Sequence, residues 1–415
     1  MKISIKAPFI VGCVALFSSA PSFAKDPSPT NFVRIKIGTS LRPSLSADGT
    51  KVLYVGRNQV DGQKKQIFQM DTIAHPGYNK APTVTYHIEF PSGAPDGVHV
   101  RTFTPPAMNS NGTVVATTPA YPQKPGGWDY RHHLRIFKVA NNVPDLIFEK
   151  SGEDVDDVGS VRVSRNGGFV AYTTMEYLAD VAEVKWRVWI YNVMSRSETQ
   201  VPWASYSYDI RGVSDDGKRI LVSTGWESES GGANLSVIDS ESGDMYPIIQ
   251  GDRKNGAVSG TWDGFGEIAA FMSIGPLVKG DTNRAADVYL TRTATPGSLF
   301  RISVAGGKQG NFFSEQPDIS RNGLFTAFVS RADNLRASDD NYAKDLYVYS
   351  LNKGKLVSYV SGDEEINRPT VSGNGKVVAF ISAASNPIPG GNQIELDMYG
   401  NKIEHLFVGY PSPLP

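Results

Sequence analysis

Short bursts of alternating apolar and polar residues run the length of this chain, and seven of them repeat one phrase. Each opens on a large apolar residue: Leu45, Met108, Val163, Val213, Trp262, Ile319 and Val371. A short side-chain oxygen follows at once, in Ser46, Asn109, Ser164, Ser214, Asp263, Ser320 and Ser372. Two positions on stands Asp48, Asn111, Asn166, Asp216, Asn322 or Asn374, with Phe265 the exception, and then a glycine. A β-rich run of partly small residues closes the phrase, as VVAF does in PTVSGNGKVVAF. Asp-Gly and Asn-Gly tolerate the positive φ angles of hairpin turns, and the preceding oxygen bonds turn backbone. Each phrase therefore predicts two strands joined by a tight turn.

The aligned glycines are Gly49, Gly112, Gly167, Gly217, Gly266, Gly323 and Gly375, spaced by 63, 55, 50, 49, 57 and 52 residues. That is the length of a four-stranded propeller blade with its loops. Third strands follow each hairpin, from QIFQMD in the first copy to HLFVGY in the last, and fourth strands such as TVTYHIEF and GKLVSYV follow six of them. The unmatched strand is FVRIKIG, residues 32 to 38, which precedes the first hairpin. Pairing it with the last blade removes two open sheet edges. The expectation is an all-β, seven-bladed β-propeller of four-stranded antiparallel blades over residues 32–415, closed by this N-terminal strand.

Composition narrows the setting. Lys2 and Lys6 precede an apolar run from Ala7 to Phe17, and Ser22-Phe23-Ala24 offers a cleavage site, so residues 1–24 read as a signal peptide and 25–31 as a short linker. The rival is a lipoprotein box ending at Cys13, with a short apolar segment before it. Cys13 is the only cysteine, so the cleaved chain has no disulfide, thiolate metal site or cysteine nucleophile. The formal charge is −1, and more negative without Lys2 and Lys6, which argues against nucleic acid. No second apolar run reaches transmembrane length. A periplasmic or secreted monomer is expected.

The pattern P-x-apolar-S-x-[DN]-G-x-x-x-[AL]-[FY], seen best in RPSLSADGTKVLY, QPDISRNGLFTAF and RPTVSGNGKVVAF, resembles the TolB-type propeller repeat of bacterial exported proteins. The resemblance covers the mature chain and implies fold and compartment. TolB carries an α/β domain before its propeller, and propeller-linked peptidases carry a hydrolase domain. Here Phe32 already belongs to the propeller pattern, so neither activity is carried over.

The chemistry-bearing candidates lie in loops. Asp281-x-Asn283-x-x-x-Asp287 and Asp339-x-Asn341-x-x-x-Asp345 recur at equivalent places before third strands. Two carboxylates, an amide and carbonyls supply the hard oxygens calcium takes, though no terminal bidentate Glu is present. The same residues also cap strand amides without any metal. The loop YPQKPGGWDYRHHLRIF gathers Trp128, Tyr130, Arg131, His132 and His133, and PWASYSYDI presents Tyr206 and Tyr208. Aromatic faces beside polar groups suit a protein or glycan ligand. Acidic connections at Asp154, Asp156 and Asp157, and at Asp363 to Glu365, crowd the same rim. No nucleophile elbow, HExxH, P-loop or full EF-hand is present. Two functions stay open: a non-enzymatic scaffold docking an envelope protein or glycan through Trp128, Tyr130, His132, Tyr206 and Tyr208, or a polysaccharide lyase or hydrolase using His132, Tyr130 and Arg131.

Overall fold

A computed structural model describes residues 32–36, 42–60, 63–72, 84–89, 105–122, 130–141, 143–150, 157–178, 183–202, 209–224, 234–249, 257–295, 297–337, 339, 341–385, 394–396 and 400–414. Among these residues every regular element is a strand. They form six four-stranded sheets, one five-stranded sheet and two two-stranded ribbons. The chain is an all-β propeller.

Sheet 1 consists of Ser44–Leu45, Lys51–Val60, Gln63–Thr72 and Val84–Glu89, and sheet 2 of Ala107–Met108, Val114–Thr117, Leu134–Ala140 and Val143–Lys150. Sheet 3 takes Asp157–Val163, Phe169–Leu178, Glu183–Asn192 and Ser197–Gln200; sheet 4 takes Asp209–Val213, Arg219–Thr224, Asn234–Asp239 and Met245–Ile249. Sheet 5 is Ala257–Trp262, Ile268–Ser273, Asp287–Arg292 and Phe300–Arg301. Sheet 6 is Ser314–Ile319, Phe325–Ser330, Asp345–Ser350 and Lys355–Val360, extended by Ser412–Pro413. Sheet 7 is Ile366–Val371, Val378–Ser382, His405–Gly409 and, on its outer edge, Phe32–Lys36. The first strand of each sheet lies nearest a common axis, and Ser44–Leu45 touches both Ala107–Met108 and Ile366–Val371.

The core sits between sheets rather than within one. Leu53 and Val55 of sheet 1 meet Met108, Val115 and Phe137 of sheet 2, and Leu221 and Leu235 of sheet 4 meet Trp262 and Phe271 of sheet 5. Sheet 7 meets sheet 1 in the same way, Ala379, Leu406 and Val408 packing on Leu45, Val52 and Tyr54. A strand buried on both faces reads as a continuous apolar run. Val378–Ser382 and His405–Gly409 are buried throughout. Small residues at Ala116, Ala171, Ala270, Ala327 and Ala379, all fully buried, let neighbouring sheets approach.

The repeated turns explain the repeated letters. All seven aligned glycines adopt φ between 68° and 80°, where a Cβ is costly. Each glycine N–H donates to the carbonyl three residues back, as Gly167 does to Ser164 at 2.9 Å and Gly375 to Ser372 at 3.0 Å. The serine hydroxyl then acts twice. Ser214 Oγ donates to Asp216 Oδ1 at 2.6 Å and accepts from the Arg219 N–H at 3.0 Å. The same double bond recurs at Ser46, Ser164, Ser320 and Ser372. Where Phe265 replaces the usual Asx, Asp263 Oδ1 alone accepts from the Glu267 N–H, at 2.8 Å.

These turns also bond to one another. Gly373 N–H donates to Ala47, Ala47 to Ser110 and Ser110 to Arg165, over 2.6 to 2.8 Å. Asn166 Nδ2 carries the link on to Asp215, which donates to Gly264; Gly264 donates to Arg321. Asn322 Nδ2 then returns it to Gly373 at 2.9 Å. The turns thus form a hydrogen-bonded belt around the axis.

Both described ends of the chain are held by strands. Phe32 lies opposite Gly409 and Lys36 opposite His405, with Phe32 and Val33 each 2% exposed. At the other end Ser412 pairs with Tyr359, and Leu414 packs against the sheet 6 core. That second strap has no counterpart in the repeat pattern and was not expected from it. Fourth strands predicted as SLFRISV shrink to Phe300–Arg301, followed by a ribbon around Gly306 and Gly307.

A chain shortened to begin at Arg42 loses Phe32, Val33 and Ile35 from the core and bares the edge at His405–Gly409. At about 1.5–3 kcal/mol for each buried side chain, the loss is on the order of 5 kcal/mol. Calorimetry should show a lower melting temperature and a broader transition; an unchanged transition would show the strand to be dispensable.

Candidate functional site: an arginine-lined channel

The first strands enclose a channel with a cavity of about 140 Å³. At the turn end, side chains cross the axis. Arg165 of sheet 3 donates to Ile319 O at 2.6 Å and Trp262 O at 3.3 Å, and Arg321 of sheet 6 pairs with Asp215 of sheet 4 at 2.7 Å. Gly264 lies so close that an added Cβ would be 2.7 Å from Arg321 and 3.1 Å from Arg165. Among the described residues, these crossings fill the channel at the belt end.

Above these crossings the wall is basic. Arg42, Arg162 and Arg211 line the cavity, and Arg368 stands close enough to Arg42 to repel it. The carboxylates facing them are Asp318, Asp209 and, beside Arg368, Glu404. Asp209 pairs with Arg211 at 2.9 Å, whereas Asp318 turns to the wall and accepts from the Thr370 hydroxyl at 2.9 Å and the Val371 N–H at 3.1 Å. Burial, reinforced by Arg211 and Arg42 against Asp209 and Asp318, pushes the Arg162 guanidinium down to about 10. Burial lowers Arg42 as well, with Arg211 and Arg368 acting in the same direction and Asp318 against it. Loss of hydration and like charge both raise the cost of these cations.

Backbone irregularities set the wall. The first strands of sheets 3 to 7 each carry a bulge, and Arg211 and Arg368 lie within theirs, at the shifts Ile210/Gly212 and Asn367/Thr370. A bulge re-aims its side chains. Arg368 and Gln316 hold φ of 53° and 56° although each precedes a proline, a strained choice fixed by the Arg368 N–H donating to Gln316 Oε1 at 2.6 Å. Gly212 has no room for a side chain, since a Cβ would be 2.2 Å from Trp262 Nε1.

The loop-bearing end holds the residues singled out from sequence. His132 Nδ1 lies 2.9 Å from Asp157 Oδ1, which also accepts the His132 N–H at 2.7 Å, tying a ribbon of sheet 2 to the first strand of sheet 3. Tyr130, Arg131 and His132 are consecutive on the strand Tyr130–His132, so Arg131 and His132 project to opposite faces. His133 stands 3.7 Å from Glu149; burial lowers its pKa, and Glu149 opposes the shift. Trp128, Tyr206 and Tyr208 lie outside the described residues, as does the signal segment. Across the mouth, Lys344 Nζ bridges Glu315 at 2.9 Å, Glu365 at 3.2 Å and Asn367 at 2.8 Å.

The doubled Asp-x-Asn loops are built differently from a calcium site. Arg301 lies 3.5 Å from both Asp281 and Asp287, and Gln309 Nε2 donates to the same two carboxylates at 2.8 and 2.9 Å. In the second copy Arg336 pairs with Asp345 at 3.0 Å and Asp339 at 3.7 Å. Tyr289 and Tyr347 donate to Asp281 and Asp339. Asn283 and Asn341 turn their amides to Gly310 O and Gly362 O, at 2.7 and 2.6 Å. A guanidinium therefore stands where a cation would, and the donor set does not fit calcium. Among the described residues no group of three or more His, Cys, Asp or Glu side chains is placed to hold a metal.

No family model and no curated protein matches the chain. Its fold is similar to an oligogalacturonate lyase from Vibrio parahaemolyticus, at 11% identity and TM-score 0.52, covering 92% of each chain. An oligogalacturonate lyase in complex with manganese aligns at 11% identity and TM-score 0.51 over 92% of this chain and 91% of that one. TolB from Acinetobacter baumannii aligns at 14% identity over 89% of this chain and 84% of that one, with a TM-score of 0.41. At these identities the lyase alignments show the propeller fold alone.

Asp345 gives a pH test. Burial first, then Asp339, raises its carboxyl to about 6 against Arg336. The folded chain then holds a proton that the unfolded chain has released, so this group's contribution falls as pH rises from about 4 through about 6, by about 3 kcal/mol. Chemical denaturation should show Asp345→Asn gaining on the wild type by that order between pH 4 and pH 7. A difference independent of pH would mean that Arg336 keeps Asp345 ionised. Arg336→Met, which strands both carboxylates, should cost about 3–5 kcal/mol at pH 7.

Proposed function

We propose that the chain is an exported, non-enzymatic propeller of seven blades, closed by Phe32–Lys36, that docks an envelope protein or glycan at the loop-bearing mouth of its channel. The channel supports this reading: among the described residues its turn end is filled by Arg165 and Arg321, and the ligand is assigned to the loop face. That face carries inter-sheet ion pairs around Lys344, while Trp128, Tyr206 and Tyr208 enter as candidates from the sequence alone. Rigid charged rims with aromatic anchors suit recognition. Export rests on the signal-like residues 1–24; among the described residues no helix is long and apolar enough to cross a membrane.

A second reading, a polysaccharide lyase or hydrolase, is favoured by the His132–Asp157 pair, since a carboxylate that fixes an imidazole prepares it as a base. Affinity capture from envelope extract separates the two. Binding predicts a partner held by the wild type and lost by Trp128→Ala/Tyr206→Ala. Turnover of acidic polysaccharide that disappears in His132→Ala would instead establish the enzyme.

A further inference from the structure

Buried donors without an acceptor are rare in folded proteins, and each asks for an explanation. Three residues around this cavity, Arg211, Trp262 and Ser110, carry a donor with no partner among the described residues, although Arg211 Nε, Trp262 Nε1 and Ser110 Oγ are themselves covered by protein rather than open to the cavity. Trp262 is only 2% exposed, and its N–H sits over Gly212 in the channel wall. Thr261, one residue before it, lines the cavity too. The guanidinium-bearing side chains of Arg42 and Arg162 line the same cavity.

The charges do not balance within the wall. Arg42, Arg162, Arg211 and Arg368 are faced by three carboxylates, Asp209, Asp318 and, beside Arg368, Glu404. Arg42 spends its contacts on backbone, reaching Pro317 O and Gln316 O at 3.5 Å, and Arg162 donates to its neighbour Val161 O at 2.7 Å. Removing like-charged groups from water without full pairing is costly, and an anion that accepts from them recovers the cost. The guanidiniums come from different parts of the wall: sheet 3 for Arg162, sheet 4 for Arg211, sheet 7 for Arg368, and the segment entering sheet 1 for Arg42. A compact anion reaches one side of such a ring, whereas two carboxylates joined by a short linker reach several. A cavity of about 150 Å³ holds a six-carbon ring, so this volume takes on the order of six to eight heavy atoms.

We propose that the channel is a binding site for a small dicarboxylate, held by Arg42, Arg162 and Arg211. The proposal deepens the binding reading and rests on its open channel mouth. The dicarboxylate is either a free metabolite or the doubly acidic end of a larger ligand, and the chemistry at the wall is the same.

The test uses the full chain at constant ionic strength, with succinate, inorganic phosphate and chloride as probes in thermal-shift and calorimetric titrations. Succinate should raise the melting temperature in a saturable way and chloride should not. Arg162→Met and Arg211→Met should each weaken succinate by about 30-fold or more. Without succinate, Arg162→Met should melt no lower than the wild type, because a repelling charge is gone. A peptide ending in Asp with a free terminus, compared with its amidated form, separates the end of a larger ligand from a free dicarboxylate as the source. Phosphate binding more tightly than succinate overturns the dicarboxylate assignment. A response equal in wild type and variants, or none to any probe, overturns the site. Partner capture by a chain that shows no succinate response would leave rim binding standing while this proposal fails.

Discussion

A serine hydroxyl that donates to an Asx oxygen and accepts a backbone N–H three residues past that Asx organises this molecule. At Ser214, Ser320 and Ser372 those bonds hold the turn closed while a glycine at positive φ lets the chain reverse. With the turn fixed, its outward N–H and C=O groups point at the next turn, and the belt from Ala47 round to Gly373 follows. The belt sets how near the axis the first strands come. That spacing decides how much room remains for Arg42, Arg162 and Arg211, so local turn chemistry controls the electrostatics of the channel.

The same constraint accounts for what could be read in the letters. Turn geometry leaves a local signature, because Ser46, Asp48 and Gly49 act on each other over a few residues, and a period of about fifty residues exposes its repetition. Strands buried on both faces, such as Val378–Ser382, announce themselves as apolar runs. The channel arginines left no such trace. Arg42, Arg162, Arg211 and Arg368 are scattered along the chain and converge only when copies are superposed on their glycines. Even then only Arg42 and Arg368 share a column, seven residues before the glycine, and a bulge decides which way Arg211 and Arg368 face.

The doubled Asp-x-Asn loops show the converse error of local reading. Asp287 and Asp345 are fully buried, as ligands to a hard cation would be, yet Arg301 from a fourth strand and Arg336 from the loop itself supply the positive charge. A spacing that presents oxygens does not say what they face. Arg301 lies fourteen residues beyond Asp287, and its approach depends on how sheet 5 pairs. In the channel the excess has the opposite sign, and there the wall holds guanidiniums in search of oxygens.

The pairing of Phe32 with Gly409 carries a kinetic consequence. Phe32 and Gly409 are 377 residues apart in the chain, so the strand at Phe32 waits for its partner while the sheets between them form. Contacts of that separation raise the folding barrier, and an unpaired edge is open to wrong partners meanwhile. Each finished pair of sheets already buries its own apolar layer, so the arc assembles progressively and only its seam is late. Until that pairing forms, the edge at His405–Gly409 stays open, and the time it stays open sets its exposure to pairing with another chain.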